Sequence, residues 1–230
     1  MKLYVILDIN KTLVKHKKNP VKGFDLLEDS RGYLVLRPHL RTFLEYLFKH
    51  HHVSLWTWNN HEYAMKFAEL ITDGHPEKFK DIMSTEDGIL ASNLDPEFKG
   101  KNLNHLWFGF NELSKSQDAI EYMEKRHEML EERRKSKKYA FSTHKHFFTD
   151  YKPCNTILID DSDVHNHDIN RKNILQIPPF TATNKNDTEL LKMIDKLKKI
   201  RIDCNTNAPI LNGGRRKTRR RYKVSSSKLY

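Results

Sequence analysis

A short apolar run near the start of the chain, Leu3-Tyr4-Val5-Ile6-Leu7, ends on a carboxylate, Asp8. The run is brief and rich in β-branched and aromatic residues, so it reads as a buried strand. Open α/β sheets bind their ligands just outside the carboxyl ends of the strands. Asp8 therefore stands where such a sheet would do chemistry, although an aspartate there can equally start a turn. Two later segments repeat the pattern. Val53-Ser54-Leu55-Trp56 is followed by Thr57, and Thr156-Ile157-Leu158-Ile159 by Asp160-Asp161-Ser162.

The remaining pattern alternates in the same sense. Lys15 to Lys22 is basic, contains Pro20 and reads as a loop. Phe24 to Leu36 predicts a hairpin turning at Asp29-Ser30-Arg31-Gly32. Arg37-Pro38 opens a helix whose apolar face is Leu40, Phe43, Leu44, Leu47 and Phe48. Trp58-Asn59-Asn60-His61-Glu62 starts a second helix, with Tyr63, Phe67 and Leu70 inward. Its first amides after Thr57 suit either a phosphate cradle or an ordinary N-cap. Asn173 to Ile177 is a fourth strand, and Asp187 caps a closing helix over Leu190, Leu191, Ile194, Leu197 and Ile200. Strands alternating with helices predict an α/β fold, a doubly wound Rossmann-like parallel sheet.

Residues 72–141 fit that pattern poorly and are expected to form a helical insertion. The stretch begins loop-like and carries the aromatic patch Trp107-Phe108-Gly109-Phe110. Ser116 to Lys138 then reads as one long charged helix with a thin stripe of Ile120, Met123, His127 and Leu130. Lys145-His146-Phe147-Phe148 is expected to resume the core. At 230 residues there is room for one domain, placed at 1–202, with this insertion and a disordered tail over 203–230.

Charge sharpens the view of the tail. The net charge is +11, but Arg215, Arg216, Lys217, Arg219, Arg220, Arg221, Lys223 and Lys228 stand together without an acid. Without those eight, 33 basic residues face 30 acidic ones. A run of this kind is expected to contact nucleic acid or to serve as a nuclear-import signal. No apolar run approaches the roughly 18 residues of a membrane span, and a chain opening directly into a strand is not expected to carry a signal peptide. Cys154 and Cys204 are the only cysteines and form no C-x-x-C pair, so reduced thiols and an intracellular protein of nucleus or cytoplasm are expected. His50-His51-His52 are sequential and do not share a face, so they do not read as metal ligands.

Carboxylates brought together at one sheet edge repel unless a cation lies between them. A hard ion such as Mg²⁺ suits oxygen ligands and keeps waters for phosphate. The strand-end residues, with Lys145 before the third strand, resemble the four motifs of the haloacid dehalogenase superfamily of phosphotransferases. The closer resemblance is to the small RNA polymerase II C-terminal-domain phosphatases, the NLI-interacting-factor-like phosphatases. It is carried by Asp8-Ile9-Asn10-Lys11-Thr12-Leu13, Arg37-Pro38, Trp56-Thr57, Asp160-Asp161-Ser162 and Asp187-Thr188-Glu189-Leu190. It covers residues 2–71 and 142–200.

The resemblance implies a haloacid dehalogenase-type fold and a Mg²⁺-dependent phosphoric monoester hydrolase acting on phosphoserine and phosphothreonine proteins. It makes Asp8 the nucleophile that forms an aspartyl-phosphate. Thr12, Thr57, Trp58 and Lys145 would form the phosphate site, with Lys152 as a competitor for the lysine role. Asp8, the backbone carbonyl of Asn10, and Asp161 would hold Mg²⁺, with Asp160 beside them. Two departures qualify this. Thr57 and Lys145 are 88 residues apart, about twice the expected interval. Asn10 also stands where the family carries its acid/base aspartate. An amide neither gives nor takes a proton at neutral pH, and loss of such help costs roughly 10²–10⁴ in rate. The alternatives are a pseudophosphatase that binds phosphopeptide or nucleic acid without turnover, and a phosphatase of nucleic-acid ends.

Overall fold

A computed structural model describes residues 2–29, 31–92, 100–107, 150–163, 171–204 and 210–211, with six helical positions between 121 and 132. The chain opens with β1 (Tyr4–Leu7), β2 (Val14–Lys17), β3 (Leu26–Asp29) and β4 (Gly32–Leu36), followed by α1 (Leu40–His50). Next come β5 (His52–Trp56), α2 (His61–Ile71), β6 (Ile82–Met83), α3 (Thr85–Ser92) and α4 (Asn104–Trp107). β7 (Thr156–Asp160), β8 (Ile174–Gln176), α5 (Glu189–Lys198), β9 (Ile200–Arg201) and β10 (Ile210–Leu211) complete the order.

Five strands form one sheet in the order β6-β5-β1-β7-β8, and every pairing is parallel. Parallel strands are buried on both faces, and the side chains divide accordingly. Val5, Leu7, Val53, Leu55, Ile157 and Ile159 face a core completed by α1, α2 and α5. Ile6, Trp56 and Leu158 face a smaller core with Met83, Leu103, Leu106, Trp107 and Tyr151. The strand order reverses at β1, so β1 and β7 bound a topological switch point, where open α/β sheets place their ligands.

The expected hairpin forms: β3 and β4 pair antiparallel, and Asp29 Oδ1 accepts the Arg31 amide at 2.7 Å in the turn. Gly32 needs its own backbone there, with φ at 132° and a would-be Cβ 2.5 Å from the Lys17 carbonyl. The loop expected at Lys15 to Lys22 is corrected at its start. β2 pairs with β4 as the edge of a three-stranded sheet. Lysines are at home on an edge strand, where they discourage pairing with another chain, which is why composition alone suggests a loop.

Arg37 ties the second half of the fold to the first. It is buried, and its guanidinium donates to the Thr12 carbonyl at 3.0 Å, the Pro178 carbonyl at 2.9 Å and Asp187 Oδ2 at 3.1 Å. Asp187 Oδ1 also accepts the Glu189 amide at 2.8 Å, although the N-cap of α5 is Thr188 rather than the expected Asp187.

The insertion expected over 72–141 begins within the core instead. Ile82–Met83 is an edge strand of the main sheet, and Leu103, Leu106 and Trp107 cover its second face. Strand β6 is two residues long and therefore carries no readable periodicity. Residues 108–120 lie outside the described residues. Glu121, Glu124, Lys125, Glu128, Glu131 and Glu132 are helical, and Lys125 pairs with Glu121. Their apolar stripe, Lys145 and the basic run 215–230 also lie outside the described residues.

The last described residues before this segment and the first after it meet at the amino edge of the sheet. Trp107 Nε1 donates to Thr156 Oγ1 at 3.2 Å, at the first residue of β7. On the return, Tyr151 Oη lies 2.6 Å from Ser54 Oγ and donates to Asp81 Oδ2 at 2.5 Å. Burial holds the Tyr151 phenol well above its ordinary pKa, so it remains a donor. The neighbouring Asp150 takes Lys80 at 2.5 Å.

The tail expected from residue 203 is corrected in part. Cys204 is disulfide-bonded to Cys154 with Cα atoms 4.9 Å apart, and Ile210–Leu211 pairs antiparallel with Ile200–Arg201. The expectation of reduced thiols is corrected with it. Among the described residues, no helix is long and apolar enough to cross a membrane.

Candidate active site

The register of the sheet sets the site. Leu7 stands opposite Leu55 on one side and Ile159 on the other, so the residues after them emerge together. Asp8 is 7% exposed and Asp160 1%. Carboxylate oxygens of Asp8, Asp160 and Asp161 lie within 4.8 Å of one another. Such a donor set of hard oxygens suits a Mg²⁺-class cation.

The chain folds back after Asp8 through Lys11, whose φ is 62°, and Lys11 N donates to the Val14 carbonyl at 2.7 Å. That turn brings Thr12 under the acidic cluster. Its hydroxyl lies 3.2 Å from Asp161 Oδ1 and accepts the Asp161 amide at 3.1 Å. Thr12 thus braces Asp161. Asp160 is held from its own loop, Oδ1 accepting the Ser162 amide at 2.9 Å.

Thr57 is fully buried, and its Oγ1 accepts from the Asn59 amide and side chain, both at 3.2 Å. α2 starts only at His61, with Asn60 Oδ1 accepting the Tyr63 amide at 2.9 Å. The helix cap is thus Asn60 and not the Thr57 hydroxyl. Trp58 stays 44% exposed. Asp8, Asn10, Lys11, Thr57, Trp58 and Asp161 line a common cavity of about 380 Å³.

A lysine does close the site, and it is Lys101. Its Nζ donates to Asp8 Oδ1 at 2.6 Å and to Asp160 Oδ2 at 2.7 Å, and the residue is fully buried. Burial works against the ammonium, but the Asp8 and Asp160 carboxylates outweigh it and hold its pKa above the ordinary lysine value. Lys145 lies outside the described residues. Lys152 sits in the turn leading into β7, where its carbonyl accepts the Thr156 amide at 3.1 Å. That is the amino edge, roughly 16 Å from the acidic cluster across a five-residue strand, so the competitor for the lysine role is removed. Lys101 has no strand before it to draw attention. Its one signal is spacing, since it follows Thr57 at half the interval of Lys145.

The charges are balanced unevenly. Burial pushes the Asp8 carboxyl up to about 6, with Lys101 pulling it down and Asp160 pushing it further up. Burial, then the Asp160 charge, also raises Asp161. Asp8 is therefore ionised at neutral pH, and a cation among these groups would favour that form further.

Asn10 is held in an unforeseen way. Tyr63 Oη donates to Asn10 Oδ1 at 2.9 Å. Burial raises the Tyr63 phenol to about 12, and Arg31 lies over its ring at 5.0 Å. Glu62 lines a separate cavity of about 270 Å³ with Arg31 and Lys66, and His16 lies 3.6 Å from Asp29.

Comparison with known proteins agrees with this geometry at the level of the family. The family model described as NLI interacting factor-like phosphatase matches residues 3–115 and 111–207. No curated protein matches the chain. Among solved structures, fission yeast RNA polymerase II CTD phosphatase Fcp1, as an arginine-to-alanine variant bound to beryllium fluoride, is 15% identical with a TM-score of 0.44. That match covers 86% of this chain and 50% of the other. A second structure, of Fcp1 described as an essential RNA polymerase II CTD phosphatase, is 16% identical with a TM-score of 0.45, covering 84% and 49%. The chain thus spans about half the length of the structures it matches.

Proposed function

The chain belongs to the NLI interacting factor-like phosphatase family, and on that premise we propose that it is a Mg²⁺-dependent phosphoprotein phosphatase working through an aspartyl-phosphate on Asp8. One observation carries the reading: a buried carboxylate at the switch point, paired with Lys101 and grouped with Asp160 and Asp161.

Asp8, the Asn10 carbonyl, Asp160 and Asp161 would hold Mg²⁺, which when bound offsets charge on a phosphoryl group. Asp8 attacks phosphorus with its ionised carboxylate. Lys101 and the Thr57 hydroxyl donate to the phosphoryl oxygens and offset developing charge. Thr12 keeps Asp161 in place. Asn10 supplies no proton to the departing oxygen and takes none from the incoming water, so phosphoserine and phosphothreonine esters are turned over slowly. The same amide supports a second reading, a phosphopeptide binder without turnover. The basic run 215–230 supports an added nucleic-acid contact or a nuclear-import role.

The test is hydrolysis of an aryl phosphate and of phosphoserine peptides, with Mg²⁺ or with a chelator, by the chain and its Asp8→Asn variant. Slow aryl-phosphate turnover that needs both Mg²⁺ and Asp8 is expected. Aryl-phosphate turnover that survives Asp8→Asn would refute the assignment. Binding of phosphopeptide with no turnover of either substrate would favour the second reading.

A further inference from the structure

The reaction outlined above leaves Trp58 unexplained. It and Ile89 are the large apolar side chains left exposed among the described residues, at 44% and 56%. Trp58 follows Thr57 directly and lines the same cavity as Asp8 and Lys11. Its ring rests against Gly88 of α3, where a Cβ would fall 2.5 Å from ring atom Cζ3 and 2.7 Å from Cη2. Thr85 Oγ1 donates to the Trp58 carbonyl at 2.5 Å. Helix α3 therefore holds both the backbone and the ring. An exposed aromatic is fixed at the mouth of the phosphate site.

The same cavity is lined by Asn10, which has no proton to give and whose oxygen is occupied by Tyr63. Such a site favours a leaving group that departs without being protonated. The phenol of tyrosine, with a pKa of about 10, departs as its anion far more readily than a serine hydroxyl. A phenol also brings an aromatic ring to the cavity mouth, where stacking on a second ring adds binding beyond the area buried.

We propose that the substrate class of this site is the phosphotyrosyl protein, with Trp58 as the platform for the tyrosine ring. The proposal rests on the reading of Asp8 as the nucleophile. In the first step an Asp8 oxygen bonds to phosphorus as the bond to the phenol oxygen breaks. The bonding pair leaves with that oxygen, and the phenolate takes its proton afterwards from solvent. Water then attacks phosphorus, the bond to Asp8 breaks, the carboxylate is restored, and the water's proton passes to solvent.

Three substrates separate the contributions when given to the full chain with Mg²⁺. They are a phosphotyrosine peptide, a phosphoserine peptide of the same surrounding sequence, and acetyl phosphate. The last has a leaving group that needs no proton but has no ring. Phosphotyrosine is expected to exceed phosphoserine in kcat/KM by about 10² or more, the low end of what a missing general acid is worth. Trp58→Ala and Gly88→Ala then test the platform. Gly88→Ala keeps the tryptophan but displaces its ring, and alanine favours the helix. Both variants should lower the phosphotyrosine-to-acetyl-phosphate ratio of kcat/KM by about two- to tenfold, the range of an aromatic pair. Equal turnover of the two peptides, or a ratio unmoved by both variants, overturns the proposal while leaving Asp8 as nucleophile. If no substrate is hydrolysed and none phosphorylates Asp8, the underlying reading falls and this one with it.

Discussion

At the scale of single residues, Asn10 decides what the site can release. Its oxygen accepts from Tyr63 and its amide cannot exchange protons. We predict that Asn10→Asp raises phosphoserine turnover by about 10² or more, read by phosphate release beside the unaltered chain. No gain would mean that proton transfer is not what limits the reaction. Lys101 poses a separate question, because removing it strands two buried carboxylates. Breaking a buried pair costs about 3–5 kcal/mol, so Lys101→Met should lower the urea midpoint in the presence of a chelator and abolish turnover. Lys145→Met should remain active, and the reverse pattern would return the lysine role to Lys145. The contrast between these lysines also marks the limit of the sequence. Asp8, Thr57, Asp160 and Asp161 are readable because each ends an apolar run that must be a strand. Lys101 leaves no such trace, since it precedes a segment placed by Leu103, Leu106 and Trp107 packing on the second face of the sheet.

At the scale of elements, the junction of α1 and β5 carries a pH dependence. His51 follows the last residue of α1, its amide donating to the Leu47 carbonyl at 2.7 Å. Both ring nitrogens are buried without a hydrogen-bond partner. Burial, then the neighbouring His50, lowers its pKa from 6.5 to about 4. Below pH 6.5 the unfolded chain binds a proton that the folded one refuses, so stability falls with pH. This contribution is complete above about 6.5 and is lost as pH drops toward about 4. Urea midpoints at pH 7.5 and 5 should show the loss, and His51→Leu should flatten it. An identical pH dependence in the variant would exclude His51 as the source. Helices α1, α2 and α5 were legible from their period, and β1, β5, β7 and β8 from their apolar runs; α3 was not, its stretch reading as loop. β2 and β6 were not, because lysines mask the one and the other is too short to repeat.

At the scale of the molecule, the Cys154–Cys204 bond joins the turn before β7 to the segment between β9 and β10. Sequence separates these cysteines by 50 positions. Their nearness depends on β7 starting at the edge of the sheet where α5 ends, which no local pattern reports. A bridge over such a span contributes about 2–4 kcal/mol. Cys204→Ser should lose that amount in urea unfolding, and a reductant should impose a similar loss on the unaltered chain but none on the variant. Equal stability with and without reductant would show that the bridge contributes nothing.

The two roots of the 108–149 segment, at Trp107 and Tyr151, give the molecule a polarity. Chemistry occupies one pole of the sheet, and Trp107 and Tyr151 stand at the other. A phosphoprotein held near those two residues would reach Asp8 at an effective concentration set by the length and stiffness of its tether, rather than by its fit to the cavity.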